Sequence, residues 1–339
     1  QDALYEPLCA YLCTQVGGRR VKIDVSREET FVCNRVRHAI RTHIISYVRP
    51  DGTFAARKME CFSDQGAYAS HGHGIAAKGM GAFPQLYPCE NLECDAYTVF
   101  TNKPVSGAMR GYGIPQAMFA GESHIDDVAR ALHMDPLAFR RKNMMPVGYV
   151  DDFSKNENYS DSLNQCIEKG MEYLDYARKK EAYAKETGPV RHGVGMAIFW
   201  YNTAVWPISL ESSSCRMVLN QDGSIQLQMG ETEIGQGADT AFAQMAAEAL
   251  GIPFASVHVI STQDTDVTPF GLGAYASRQT YIGGFSIKQT ALLMRERILK
   301  YAYELTRMPP FEMDIVDGNI LRKSDGRVLM TLGELATEA

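Results

Sequence analysis

Three short glycine-rich segments offer the most chemistry in this sequence. Gly107-Ala108-Met109-Arg110-Gly111-Tyr112-Gly113 lies directly ahead of a stretch that reads as a helix from about Ile114. A glycine-rich turn at a helix start presents free backbone N–H groups and the positive end of the helix dipole, a natural anion site. Arg110 adds a charge-assisted donor. No Gly-Lys-Ser/Thr follows, so this is not a Walker loop. Gly230-Glu231-Thr232-Glu233-Ile234-Gly235-Gln236-Gly237 is a second turn of this sort. Gln236 brings an amide that donates and accepts without titrating, whereas Glu231 and Glu233, two carboxylates beside a turn, read as solvated. The third segment, Gly271 to Thr280 (GLGAYASRQT), precedes the longest helical stretch. A tight turn between elements explains each segment alone; three of them facing one ligand would make a polar cradle for a phosphorylated cofactor.

Other reactive side chains are less organised. On a strand, His71 and His73 would share one side, but no third ligand is spaced to help, so they read as ordinary polar histidines. His124 falls on the solvated side of its helix, and His133 near a helix end favours the dipole. The eight cysteines (9, 13, 33, 61, 89, 94, 166 and 215) contain no Cys-x-x-Cys pair, so zinc and iron–sulfur spacing are absent. Ser212-Ser213-Ser214 lacks a nucleophile-elbow context and reads as part of a strand.

The elements that must hold these segments follow from periodicity. Residues 4–16 carry Leu4, Leu8, Tyr11, Leu12 and Val16 on one stripe, a buried helix ended by Gly17-Gly18. Residues 20–25 (RVKIDV) alternate as a strand, and Ser26 to Glu29 spells a capping box. Residues 40–70 hold two strands around the Arg49-Pro50-Asp51-Gly52 turn, and 71–81 form a glycine-rich segment without strong period. Helices are expected over 114–133, with Met118, Ile125, Val128 and Leu132 inward, after Asp135-Pro136, and over 161–185. Residues 179–191 are the most polar stretch and mark a boundary between lobes at 1–188 and 189–339. Beyond it, strands are expected at 193–201, 207–219, 224–229 and 257–262, helices at about 239–250 and 283–306, and a last hairpin at Val316-Asp317-Gly318-Asn319. No internal repeat is visible. The fold class is α+β in two lobes.

With 339 residues, at about 150 per domain, the chain has room for two domains and a large core. Apolar residues make up 45% and charged residues 22%, which excludes a disordered or collagen-like chain. No segment approaches the roughly 20 apolar residues of a membrane span. A net charge of -6, without a basic run, excludes nucleic acid as a partner, and the cysteine usage fits a reducing cytoplasm.

The three turns together resemble one family. Gly107 to Gln116 is similar to the "G-A-x-R-G-F/Y-G-x-P-Q" signature of the molybdenum hydroxylases, the xanthine dehydrogenase/aldehyde oxidase family. Gly235-Gln236-Gly237 with Thr240 and Gln244, and Ala276-Ser277-Arg278-Gln279-Thr280 with Gly283-Gly284, resemble two of its cofactor segments. Ser26 to Glu29, Arg37-His38 and Asp135-Pro136 with Arg140, Lys142 and Asn143 also sit where the family has similar stretches. The resemblance implies molybdopterin, in some members its cytosine dinucleotide, and hydroxylation of an N-heterocycle such as hypoxanthine or xanthine, or of an aldehyde or aromatic acyl-CoA. It implies water-derived oxygen, a glutamate general base, and iron–sulfur and FAD domains or subunits beside a homo-oligomeric enzyme. A cofactor carrier without catalysis and a general nucleotide-binding module are the competing readings.

Carried over by position, Met109, Arg110, Gly111, Gly235, Gln236, Gly237, Ala276, Ser277 and Gln279 would contact the cofactor, with no protein ligand to the metal. Tyr112 takes the place of a Phe that stacks on substrate, Lys78 that of a substrate-binding Arg, and Gln1 that of a Glu. The family's "G-G-F-G-G-K" stretch is expected ahead of Gln1 and its catalytic Gly-x-Gly-Glu downstream of Ala339, making the chain a fragment that is inactive alone.

Overall fold

The computed structural model describes residues 4–152, 155–205, 211–260 and 264–339. They form two compact units, 1–201 and 202–339.

The first unit contains α1 (Glu6–Gln15), α2 (Arg27–Cys33), β1 (Ala39–Val48), β2 (Phe54–Asp64), α3 (Gly72–Gly81), α4 (Phe83–Leu86), β3 (Asn91–Val99), α5 (Ile114–Ala131), α6 (Pro136–Asn143), α7 (Ser162–Leu174) and α8 (Tyr176–Ala184). β1 and β2 pair antiparallel across the expected turn, from Ala39 opposite Asp64 to Val48 opposite Phe54. β2 then pairs in parallel with β3, which requires a crossover connection, and α3 and α4 supply it. The second unit contains β4 (Cys215–Leu219), β5 (Ile225–Met229), α9 (Ala238–Leu250), β6 (Val257–Ile260), α10 (Gly284–Thr306), β7 (Met313–Val316), β8 (Asn319–Arg322), β9 (Val328–Thr331) and α11 (Leu332–Glu338). β4–β5 is antiparallel, β5–β6 is parallel, and α9 makes the crossover. Each unit therefore repeats hairpin, crossover helix and parallel third strand, a likeness of topology that the sequence does not spell.

Packing follows the apolar faces. Ile225, Leu227 and Met229 of β5 are buried against Phe242 and Ala246 of α9 and Ile287 and Ala291 of α10. In the first unit Phe54, Leu86, Ile125 and Phe139 share one cluster, while Met59, Cys61, Met80, Phe83 and Ala117 form another. Burial of each Ile, Leu, Met or Phe side chain among them contributes about 1.5–3 kcal/mol, and of each Ala less. Ser26 and Asp135 cap their helices as predicted, Ser26 through a reciprocal pair with Glu29. The hairpin at 316–319 also forms.

Several expectations change. α1 forms, but none of its residues is buried; periodicity identifies an apolar stripe without supplying a surface to cover it. Residues 19–26 are not a strand, because alternation without a paired neighbour makes no ladder. The segment 72–81 is a helix, with Gly72, Ile75, Ala76, Gly79 and Met80 buried along one face. Gly72, Gly74 and Gly79 allow close approach of neighbouring segments, and His71 and His73 lie at the helix start and not on a strand. The helix expected over 161–185 breaks at Asp175, whose φ is 49°. Residues 193–201 are irregular, yet Met196, Ile198 and Trp200 still join the first unit's core. Strand 207–219 is described from Cys215 and strand 257–262 up to Ile260; residues 206–210 and 261–263 lie outside the described residues. No helix of the described residues is long and apolar enough to cross a membrane.

Candidate cofactor and substrate site

Parallel strands place their carboxyl ends on one side of a sheet, where open α/β sheets bind ligands. In the second unit these ends lead into the loops 230–237 and 264–280. The two loops are joined backbone to backbone. A Cβ on Gly230 would lie 1.9 Å from the Pro269 carbonyl oxygen, and one on Gly271 would lie 2.6 Å from Gly230, so only glycine fits at either position. Beneath them Arg278 is fully buried. Its Nη1 reaches both oxygens of the equally buried Glu231 and the Gly273 carbonyl, its Nε donates to Glu211 at 2.7 Å, and its Nη2 donates to the Ser212 carbonyl. Burial lowers the guanidinium pKa, but the bonds to Glu211 and Glu231 outweigh it and the net direction is up. The expectation that Glu231 is solvated is therefore corrected: a buried cation compensates its desolvation.

Above this pair the loops meet through amides. Gln236 Nε2 donates to Gln279 Oε1 at 2.8 Å and to the Thr232 carbonyl, which also accepts from Gln279 Nε2 at 3.0 Å. Gln236 Oε1 accepts from Ile234 N–H. The exposed Gly235 and Gly237 have φ of 92° and 84°, with open space where a Cβ would sit. Glu233 accepts from the N–H groups of Gly235, Gly237 and Asp239, which holds its carboxyl below the ordinary range. Ala276 and Ser277 are left-handed at φ 50° and 55°, and Arg278 returns to the right-handed region. The Arg278 N–H closes this turn on the Tyr275 carbonyl at 3.0 Å. A π-helical turn, Gln279–Gly283, then enters α10.

The first unit is built the same way. β2 leads into 65–71 and β3 into 100–113, and these loops exchange backbone bonds, Gln65 N–H to Val99 and Ser106 N–H to Gln65 among them. Gly111, Tyr112 and Gly113 are all left-handed, at φ 86°, 47° and 95°. A Cβ on Gly113 would lie 2.3 Å from the Ile75 carbonyl, so the turn rests directly on α3. Arg37 Nη2 donates to the Arg110 carbonyl at 2.6 Å, and Gln116 Nε2 donates to the His38 carbonyl. Arg110 itself is exposed, and among the described residues the N–H groups of Met109, Arg110 and Gly111 bond no carbonyl or side chain. They form an open donor set with one cation beside it.

The predicted substrate residues are also accounted for. The Tyr112 hydroxyl lies 2.8 Å from His71 Nδ1, and burial raises its pKa, so it stays a phenol. Lys78 extends along α3 with its ammonium 5.3 Å from the Tyr201 ring centre. Gln1 lies outside the described residues. His124 is half-buried and meets Ser46 Oγ at 2.9 Å, which corrects its expected exposure. Sequence reading missed His71 as the partner of Tyr112, and Arg278 as the anchor of its loop; neither spacing carries a signal for a bond to another loop.

The chain matches models of the molybdopterin cofactor-binding domain over residues 1–144 and 169–339. A xanthine dehydrogenase molybdenum-binding subunit of Escherichia coli O157:H7 is 42% identical over 340 residues, covering all of this chain and 45% of that protein. The chain thus spans about half the length of this curated relative. An aldehyde oxidoreductase of Desulfovibrio desulfuricans superposes with a TM-score of 0.78 at 25% identity, covering 99% of this chain and 34% of that one. Quinoline 2-oxidoreductase of Pseudomonas putida 86 gives 0.74 at 26%, covering 96% and 43%.

Proposed function

This chain belongs to the molybdopterin cofactor-binding domain family, and from that premise we propose that it is the cofactor-holding part of a molybdenum hydroxylase acting on an N-heterocycle, a purine such as hypoxanthine or xanthine foremost. The observation that carries the reading is the Gln236–Gln279 bond, which makes one polar cradle of two loops. The donor set fits the group. The N–H groups of Met109, Arg110 and Gly111 supply backbone donors ahead of the left-handed turn at 111–113, and neutral amides offer both donors and acceptors to a pterin. When bound, molybdopterin supplies the molybdenum at which water-derived oxygen is inserted into an electron-poor carbon.

The protein's part is positioning. Met109, Arg110 and Gly111 bind with backbone N–H groups and one cation; Gly235, Gln236, Gly237, Ala276, Ser277 and Gln279 hold the pterin and its phosphates. Tyr112 meets the substrate ring with an aromatic body and a hydroxyl tip, and Lys78 adds a cation at the ring's edge. The general base is assigned to a glutamate of a Gly-x-Gly-Glu motif elsewhere in the full-length protein. Iron–sulfur and FAD domains or subunits take the electrons, in a cytoplasmic homo-oligomer. The likeness to an aldehyde oxidoreductase favours an aldehyde as the second reading. Molybdenum and pterin analysis of the full-length protein, with turnover of hypoxanthine against benzaldehyde, tests both. Molybdenum near one per chain with purine oxidation supports the first reading, benzaldehyde oxidation alone supports the second, and no molybdenum or pterin removes both.

A further inference from the structure

Each unit carries, at the carboxyl end of its parallel strand pair, a side-chain bond between the segment ahead of the crossover helix and the segment behind the third strand. In the second unit it joins Gln236, ahead of the crossover helix, to Gln279, behind the third strand, at 2.8 Å. In the first unit the corresponding places are taken by His71, at the start of α3, and Tyr112, beyond β3, also at 2.8 Å. The first pair is amide to amide and binds its loops together. The second ends in a phenol, which keeps hydrogen-bonding capacity after His71 is satisfied.

The surroundings fix that phenol from three sides. Tyr112 is held at φ 47°, between glycines at 86° and 95°, so its Cα cannot relax without moving the turn. The His71 ring meets the Tyr112 ring edge to face, with centres 5.9 Å apart. Gly74, one turn further along α3, leaves space for the hydroxyl: a Cβ there would lie 3.1 Å from its oxygen. His71, Gly74 and Lys78 are spaced i, i+3 and i+7 and share one helix face.

We propose that His71 is a positioning residue that fixes the direction of the Tyr112 hydroxyl, and that this oriented hydroxyl selects substrates whose ring edge carries a nitrogen hydrogen-bonding group. The inference rests on the hydroxylase reading above and names the substrate class of that site. A ring nitrogen or ring N–H completes the phenol's hydrogen bonding, whereas the ring edge of a carbocyclic aldehyde carries only C–H and leaves it unmatched there, a difference that polar sites convert into selectivity.

The experiment is a double-mutant cycle in the full-length, molybdenum-loaded enzyme, with kcat/KM measured for hypoxanthine and for benzaldehyde. His71→Ala and Tyr112→Phe should each lower the hypoxanthine-to-benzaldehyde ratio about tenfold, and the double variant should lower it no further. His71→Asn, which places a polar atom near the position of Nδ1, should restore most of the ratio. Molybdenum and pterin content should stay level across the series. Additive losses, equal losses on both substrates, or failure of the Asn variant to rescue while hypoxanthine is still oxidised would overturn the role of His71. A loaded wild-type enzyme that neither binds nor oxidises hypoxanthine would instead overturn the purine reading on which it rests.

Discussion

Arg278 and Glu231 face each other at 2.8 and 2.9 Å with neither side chain exposed to solvent. The pair lies under the loops whose amides meet at Gln236 and Gln279, so a charge buried without partner would disturb the cradle above it. Arg278→Met leaves Glu231 and the nearly buried Glu211 without their cation. It should destabilise the protein by about 3–5 kcal/mol, read from the urea midpoint. Arg278→Lys should recover little, because an ammonium cannot hold two carboxylates and two carbonyls in the same fork. A midpoint unmoved by Arg278→Met would remove the pair from the account of how the loops are held.

Gly113 has both a left-handed backbone and no room for a side chain, since a Cβ would lie 2.3 Å from the Ile75 carbonyl. Gly113→Ala should cost about 2–3 kcal/mol or abolish folding of the unit. Gly121→Ala, in α5 with nothing near a new Cβ, should be neutral or stabilising by up to about 1 kcal/mol. Thermal unfolding of the two variants side by side separates backbone constraint from a general effect of adding a methyl group.

Asp64 ties the two loops of the first unit together, accepting from Gly66 N–H, Thr101 Oγ1 and Lys103 Nζ. Burial pushes its carboxyl up, but the bonds from Lys103, Thr101 and Gly66 outweigh burial and hold it at about 2. Its folded pKa thus lies below the ordinary value of 3.8, so its stabilisation is complete above about pH 4 and fades as pH falls towards 2. Asp64→Asn should lower stability at pH 7 by about 2 kcal/mol and flatten that part of the acid-unfolding curve. An unchanged slope between pH 4 and 2 would count against the assignment.

Gln236 bonds across two loops and is exposed on its outer side. Gln236→Ala should lower molybdopterin retention of the full-length enzyme, with about 1–3 kcal/mol of lost stabilisation, while the unfolding midpoint moves little. Molybdenum content after gel filtration reads the first effect and urea titration the second. Full retention with normal turnover would remove Gln236 from the cofactor contacts.

What the sequence by itself determined is local. Caps at Ser26 and Asp135, the hairpin turns at 49–52 and 316–319, and the apolar face of α5 depend on residues within a few positions of one another, so their signals survive in one dimension. The glycine turns at 107–113, 230–237 and 271–280 were legible for the same reason. Only the tertiary structure decided which of these segments are neighbours. The parallel pairing of β2 with β3 and of β5 with β6 joins residues 35 and 32 positions apart and sets the loops that follow side by side, and no spacing rule reaches so far. The buried Glu231–Arg278 pair, read from sequence as a solvated carboxylate, shows the reason. Charge alone predicts exposure, and only a partner brought in by the fold reverses that balance. The opposite error occurs at α1, whose apolar stripe was legible but none of whose residues is buried in the structure. Periodicity states which face is apolar; what buries it is settled by contacts distant in sequence.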